Sequence, residues 1–175
     1  MRPNGRLLWH IFALCGLWLH ACAAWGQGLP EYRLKTAFLY NFALYTEWPP
    51  EVGPTLTLCI YGQDLFGAEL DALQGKSVGA RRIAIQRVGI RDALAGCNIV
   101  FVTSSALIAL PRVLEAQRVS PLLTVADSPD AARMGVALNI EMVDSRISFV
   151  VNLKALGPRL TLSSKLLHLA RDIEQ

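Results

Sequence analysis

Asn98-Ile99-Val100-Phe101-Val102-Thr103 is an unbroken apolar run held between two polar residues. A stretch this short and this continuous predicts a strand covered on both faces, the mark of a parallel sheet. Leu122-Leu123-Thr124-Val125-Ala126 is a second segment of the same kind. Between them, Ser104 or Ser105 can cap a helix running to about Arg118, with Pro111 near its first turns. Strand, helix and buried strand in succession predict an α/β layered fold with a mostly parallel sheet.

The pattern extends in both directions. Upstream, Thr55–Tyr61 alternates toward a strand that Gly62 ends. Asp64 is placed to cap a helix through about Leu73, and Gln74-Gly75-Lys76 is a break. Arg82–Val88 alternates as another strand, and Arg91–Ala95 reads as one helical turn. The first helix is expected over Pro30–Trp48, with Leu34, Phe38 and Tyr45, plus Ala37 and Phe42, at helical spacing; Pro49-Pro50 stops it. Downstream, Asp127-Ser128-Pro129-Asp130 is a turn. Val136–Met142 and Arg146–Asn152 form a late β-hairpin around Asp144-Ser145, giving the sheet a mixed edge. Ser163 or Ser164 opens a last helix with Leu166, Leu167, Leu169 and Ile173 on its apolar stripe.

The amino terminus reads differently. Arg2 and Arg6 precede an apolar stretch from Leu7 to Leu19, and the small residues Ala21-Cys22-Ala23-Ala24 follow. A basic start, a short apolar centre and an A-x-A site make residues 1–23 a secretory signal peptide, with cleavage after Ala23 or as late as Gly26. Lipidation of Cys22 and retention as an anchor are the alternatives. Residues 24–175 then form a single domain of an exported protein, periplasmic in a bacterium with two membranes. Such a compartment disfavours chemistry that needs ATP, NADH or reduced thiols.

Charge and cysteine content narrow the classes further. The chain carries 17 Lys and Arg against 14 Asp and Glu, and losing Arg2 and Arg6 leaves a net charge of +1. No basic face of the kind nucleic acid requires is implied. Of the four cysteines, Cys15 and Cys22 lie in the leader. Cys59 and Cys97 remain as an even pair in an oxidising compartment and are expected to be bonded, two buried thiols being the alternative. A metal site is disfavoured, because His168 is the one imidazole after the leader and there is no C-x-x-C.

Catalytic constellations are not visible. His168 sits within the last helix near its leucine stripe, and no G-x-S-x-G is present. Asp64, Asp71 and Asp127 suit caps and turns, and no spacing singles out a catalytic pair. Gly62-x-x-x-x-Gly67 lacks the Lys-Ser/Thr of a phosphate loop. No catalytic residue and no cofactor are expected, so the chain reads as a binding module. Tyr40, Tyr45 and Trp48 form an aromatic set that either packs in the core or lines a small-molecule crevice.

Lys35-Thr-Ala-Phe-Leu-Tyr-Asn-Phe-Ala-Leu-Tyr-Thr-Glu-Trp-Pro49 resembles the opening helix of the YfiR family of exported bacterial proteins. The order downstream is similar to that family too. Cys59 precedes Gly62, Gly75-Lys76 follows, and Cys97 stands before an apolar strand. Then come Thr124–Asp127, Gly135–Asn139, Phe149–Asn152 and Leu160–Ala170. The resemblance implies a compact α/β sandwich, often a homodimer, with a core disulfide at Cys59 and Cys97. It implies a periplasmic repressor that binds the periplasmic sensor domain of a membrane-bound diguanylate cyclase, and that an outer-membrane lipoprotein can sequester. A receptor or sensor kinase in place of the cyclase is the alternative. The contact surface is expected on the late hairpin and its turn, at Asp144, Arg146, Ser148 and Asn152.

Overall fold

The computed structural model describes residues 28–143 and 146–174. The expected signal peptide and the hairpin turn, Asp144 included, lie outside the described residues. Strand β2 (Thr55–Tyr61) is the pivot of the sheet. It pairs in parallel with β4 (Arg81–Val88) on one side and β5 (Ile99–Val102) on the other. Beyond β5 follow β6 (Leu123–Ala126) and β7 (Leu138–Val143), all parallel. The late hairpin is present: β8 (Arg146–Asn152) runs antiparallel to β7, with Ile140 opposite Phe149. Two short strands finish the edges of this eight-stranded sheet. They are β3 (Ser77–Val78), antiparallel to β4, and β10 (Asp172–Glu174), parallel to β8. A separate ribbon joins β1 (Thr46–Glu47) to β9 (Thr161–Leu162).

The two central runs are buried on both faces, which explains their composition. All four residues of β5 and all four of β6 are inaccessible. On one face, Leu56, Leu58, Ile60 and Phe101 pack with Leu39 and Phe42 of helix α1 (Gly28–Leu44). On the other, Tyr61, Val100 and Val102 pack with Leu110 and Val113 of helix α3 (Leu110–Val119). Alternate residues of one strand thus enter opposite cores. Cys59 and Cys97 belong to this second core and are bonded, with their Cα atoms 5.9 Å apart.

Several local expectations are corrected. Helix α1 ends at Leu44 rather than Trp48, because the chain turns at Tyr45 and Thr46–Glu47 pair with β9. Its buried face is carried by Leu39, Phe42 and Ala43, while Leu34 is 51% exposed. Asp64 caps no long helix. It accepts from the Phe66 and Gly67 amides at 2.7 and 3.3 Å, and only the short helix α2 (Ala68–Asp71) follows. Arg87 donates to Asp64 at 2.7 Å and to Asp71 at 2.8 Å, and these bonds raise its guanidinium pKa above the ordinary value. Residues 91–95 form turns, not a helical turn. Neither Ser104 nor Ser105 caps α3; a 3₁₀ segment, Ser104–Ala109, intervenes, and Ser105 instead accepts from the Gln63 amide at 2.9 Å. The last helix, α4 (Ser164–Leu169), is capped by Ser163 as expected, but stops before Ile173, which lies in β10.

Topology places the ends of the parallel strands where a site can form. The chain passes from β2 outward to β4, then crosses back to β5 on the opposite side of β2. At such a reversal the connecting loops diverge, and the crevice beyond the strands' carboxyl ends is the usual place for ligands in open α/β sheets.

Candidate functional site

The β7–β8 hairpin leaves one part of the sheet thinly covered. Phe149 is buried against Phe42 and Phe38 of α1, with ring centroids 5.1 and 5.8 Å away and edge-to-face geometry. Toward the hairpin tip, Ile147 takes the same face as Phe149 but is only half-buried. Helix α4 reaches this face with Leu166, which is buried, and Leu169, which is 63% exposed. The result is a groove of about 340 Å³ between α1, β8 and α4. Phe38, Ile147 and Leu169 give it apolar walls, and Asn41 and Arg171 give it a polar rim. Ser148 also lines it, and its hydroxyl is buried without a hydrogen-bond partner among the described residues.

A second hollow of about 450 Å³ continues from it past the strand edge, lined by Val143, Arg146, Ser148 and Arg171. Arg171 is anchored twice. Its amide donates to the Phe149 carbonyl at 2.9 Å, and its guanidinium pairs with Glu141. Arg146 is exposed. The combined surface offers apolar contact area edged by guanidinium charge. That arrangement suits a protein partner presenting apolar side chains next to carboxylates.

Of the residues singled out from sequence, Arg146 and Ser148 meet at this surface. Asn152 does not. Its amide nitrogen donates to the Ala132 carbonyl at 2.8 Å, and its oxygen accepts from the Ala155 amide at 3.2 Å, so it fastens backbone beyond the far end of β8. It borders a different hollow, of about 470 Å³, with Gln117, Arg118 and Lys154. Asp144 lies outside the described residues. Tyr40, Tyr45 and Trp48 are all half-buried against the first core. The Tyr40 hydroxyl donates to the Ser77 carbonyl at 3.0 Å, and the Trp48 indole to the Ala43 carbonyl at 2.9 Å. The ammonium groups of Lys76 and Lys165 sit over Tyr40 and Tyr45, respectively. The polar groups of Tyr40 and Trp48 are engaged inside the fold.

The groove also contains residues that sequence reasoning did not pick: Phe38, Ile147, Leu169 and Arg171. Leu169 carried a signal that was misread, because it was assigned to the apolar stripe of the last helix, whereas it ends α4 and is exposed. Arg171 carried none, since its placement depends on β10 pairing with β8. His168 is exposed, its Nδ1 2.6 Å from the Ser164 carbonyl. Among the described residues, no group of three His, Cys, Asp or Glu side chains is placed to hold a metal ion. No described helix is long and apolar enough to cross a membrane.

A family model described as YfiR/HmsC-like matches residues 32–171, which is 140 of the 175 positions. The chain belongs to the YfiR/HmsC-like family. The match begins in α1 and ends at Arg171, so it takes in every wall of the groove. YfiR/HmsC-like proteins are periplasmic regulators of diguanylate cyclase, and the family is regulatory rather than catalytic. No curated protein matches the chain.

Proposed function

We propose that the protein is exported and holds down a membrane-bound diguanylate cyclase by binding its periplasmic sensor domain. Membership of the YfiR/HmsC-like family over residues 32–171 is the observation that carries this reading. Binding would act by population shift: a partner that docks only on the inactive arrangement of the sensor draws the receptor toward it. An outer-membrane lipoprotein competing for the repressor would release the brake.

The groove between α1, β8 and α4 is the contact surface in this reading, with Arg146 at its margin; Asp144 is kept as a contact residue on the sequence reading alone. An exposed leucine beside half-buried Phe38 and Ile147 supports it, because such side chains lose the most water on docking. The exposed Arg146 guanidinium at the margin would steer a partner of opposite charge and help fix its register. Homodimerisation through another face is compatible with this arrangement.

The test is capture of the cyclase from membranes of the source bacterium by the tagged, exported protein. The wild-type protein should retain a membrane diguanylate cyclase, and Leu169→Asp and Arg146→Glu should each weaken retention at least tenfold. Both positions are exposed, so the variants should melt within a few degrees of wild type. Undiminished retention by both variants would remove the groove from the account. Unchanged cellular cyclic di-GMP after deletion of the protein would remove the function.

A further inference from the structure

A smaller cavity lies at the carboxyl ends of the parallel strands, apart from the groove and sharing no residue with it. It has a volume of about 200 Å³ and is walled by the loops that follow β2, β5 and β6, together with Tyr32 of α1. These are the loops that diverge where the chain reverses around β2. Tyr32, Phe66 and Phe101 supply aromatic walls: Phe66 meets Phe101 edge-on at 4.9 Å and Tyr32 at 5.2 Å. Leu65, 46% exposed, stands at the mouth.

Two polar features break the apolar lining. Asp127 takes a 2.6 Å bond from Lys35, whose side chain is 8% exposed, so a buried ion pair stands behind the wall. Ser128 is 4% exposed, and its hydroxyl has no hydrogen-bond partner among the described residues. A buried hydroxyl left unpaired costs stability, and alanine would avoid that cost. Thr103, on the opposite wall, already donates to the Tyr61 carbonyl at 3.0 Å and is not free in the same sense.

We propose that this cavity binds a small, neutral ring compound carrying an adjacent donor and acceptor, of which a primary carboxamide is the simplest type. The aromatic walls would take the ring. After rotation about its Cα–Cβ bond the Ser128 hydroxyl would donate to the ligand's acceptor, and Asp127, which uses Oδ2 for Lys35, would accept from its donor. The Asp127 carboxylate in the lining repels an anion, so a neutral ligand suits the site better than a carboxylate. The volume lies below the ~300–1,000 Å³ of pockets for drug-sized ligands, which limits the occupant to a compact molecule.

The experiment uses the full chain expressed for export and recovered from the periplasm, titrated with benzamide and separately with benzoate. Backbone amide chemical shifts are followed, and the melting temperature is recorded alongside. Benzamide should give saturable shifts at Leu65, Phe66, Ser104 and Ser128 at millimolar concentration, and benzoate should bind at least tenfold more weakly. Ser128→Ala should weaken benzamide about fivefold, the usual worth of one hydrogen bond, while melting no lower than wild type. A merely structural serine would not separate those two readouts. Shifts that fail to saturate, equal binding of benzoate, or unchanged affinity in Ser128→Ala would each overturn the proposal. None of these outcomes bears on capture of the cyclase, so the two readings fail separately.

Discussion

Reduction of the Cys59–Cys97 bond should lower the melting temperature by roughly ten degrees without changing the folded sheet. Strands β2 and β5 already pair along Leu58–Ile99 to Tyr61–Val102. The bond therefore adds little that the ladder does not hold in the native state. Its effect falls on the unfolded chain, where it closes a loop spanning 38 positions through α2, β3 and β4. In the chain-entropy treatment a loop of that size corresponds to about 4 kcal/mol at 25 °C. A domain of this length shifts by about 2–4 °C per kcal/mol, which gives a fall of roughly 8–16 °C. The assay is calorimetric melting of oxidised protein against protein unfolded with a reductant and refolded under it. Urea titration adds a second sign, because a cross-linked unfolded chain exposes less surface and should show a smaller m-value in the oxidised form. With Cys59 fully buried and Cys97 6% exposed, the native bond should also resist reductant until the domain opens. Oxidised and reduced melts within about 2 °C of each other would refute the argument, as would two freely titrating thiols in native periplasmic material.

Other consequences follow from buried charge and from close backbone contact. Lys35→Met leaves the Asp127 carboxylate, 16% exposed, without its 2.6 Å partner and should cost about 3–5 kcal/mol in urea unfolding. Lys35→Met combined with Asp127→Asn should recover part of that loss, because the Asp127 charge is then removed as well; equal stability of the single and double variants would count against a direct pair. Gly157→Ala should cost about 1–3 kcal/mol, since a Cβ there would lie 3.0–3.2 Å from the carbonyl oxygens of Leu122, Gln117 and Ser120, none of which can swing aside like a side chain. A thermal melt unchanged by that substitution would show that the 156–158 turn relaxes.

What the sequence revealed was whatever a short window contains. The apolar runs at 99–102 and 123–126 announce strands covered on both faces, and the two strands that pair as β7 and β8 read directly from alternation. Tertiary pairing decided what was missed. Thr46–Glu47 continue a helical pattern by composition, yet they leave the helix because Thr161–Leu162 offer a ladder. Ile173 completes a leucine stripe on paper, yet β8 draws it into a parallel strand. Ser105 has the chemistry of a cap, but Gly62, with φ +102, brings the Gln63 amide within its reach. The same limit applied to the groove. Arg146 and Ser148 were reachable because they belong to one hairpin, whereas Phe38, Leu169 and Arg171 reach the groove from elements distant in the chain.

Helix α1 is the element on which both binding surfaces depend. Tyr32 walls the small cavity, and Lys35, one turn on, ties the helix to the carboxyl end of β6 through Asp127. Phe38 and Phe42, one and two turns further, stack on Phe149 and form the wall of the groove. The helix is thus held near its middle by a polar clamp and toward its carboxyl end by aromatic contacts. A ligand that engages Asp127 acts on the clamp, and a partner seated in the groove acts on the stack. Any energy that passes between them passes in both directions: a ligand that tightened the partner's hold would itself be held more tightly by the complex. A packed aromatic stack resists gradual deformation, so the helix would transmit such a signal by moving as a unit rather than by bending.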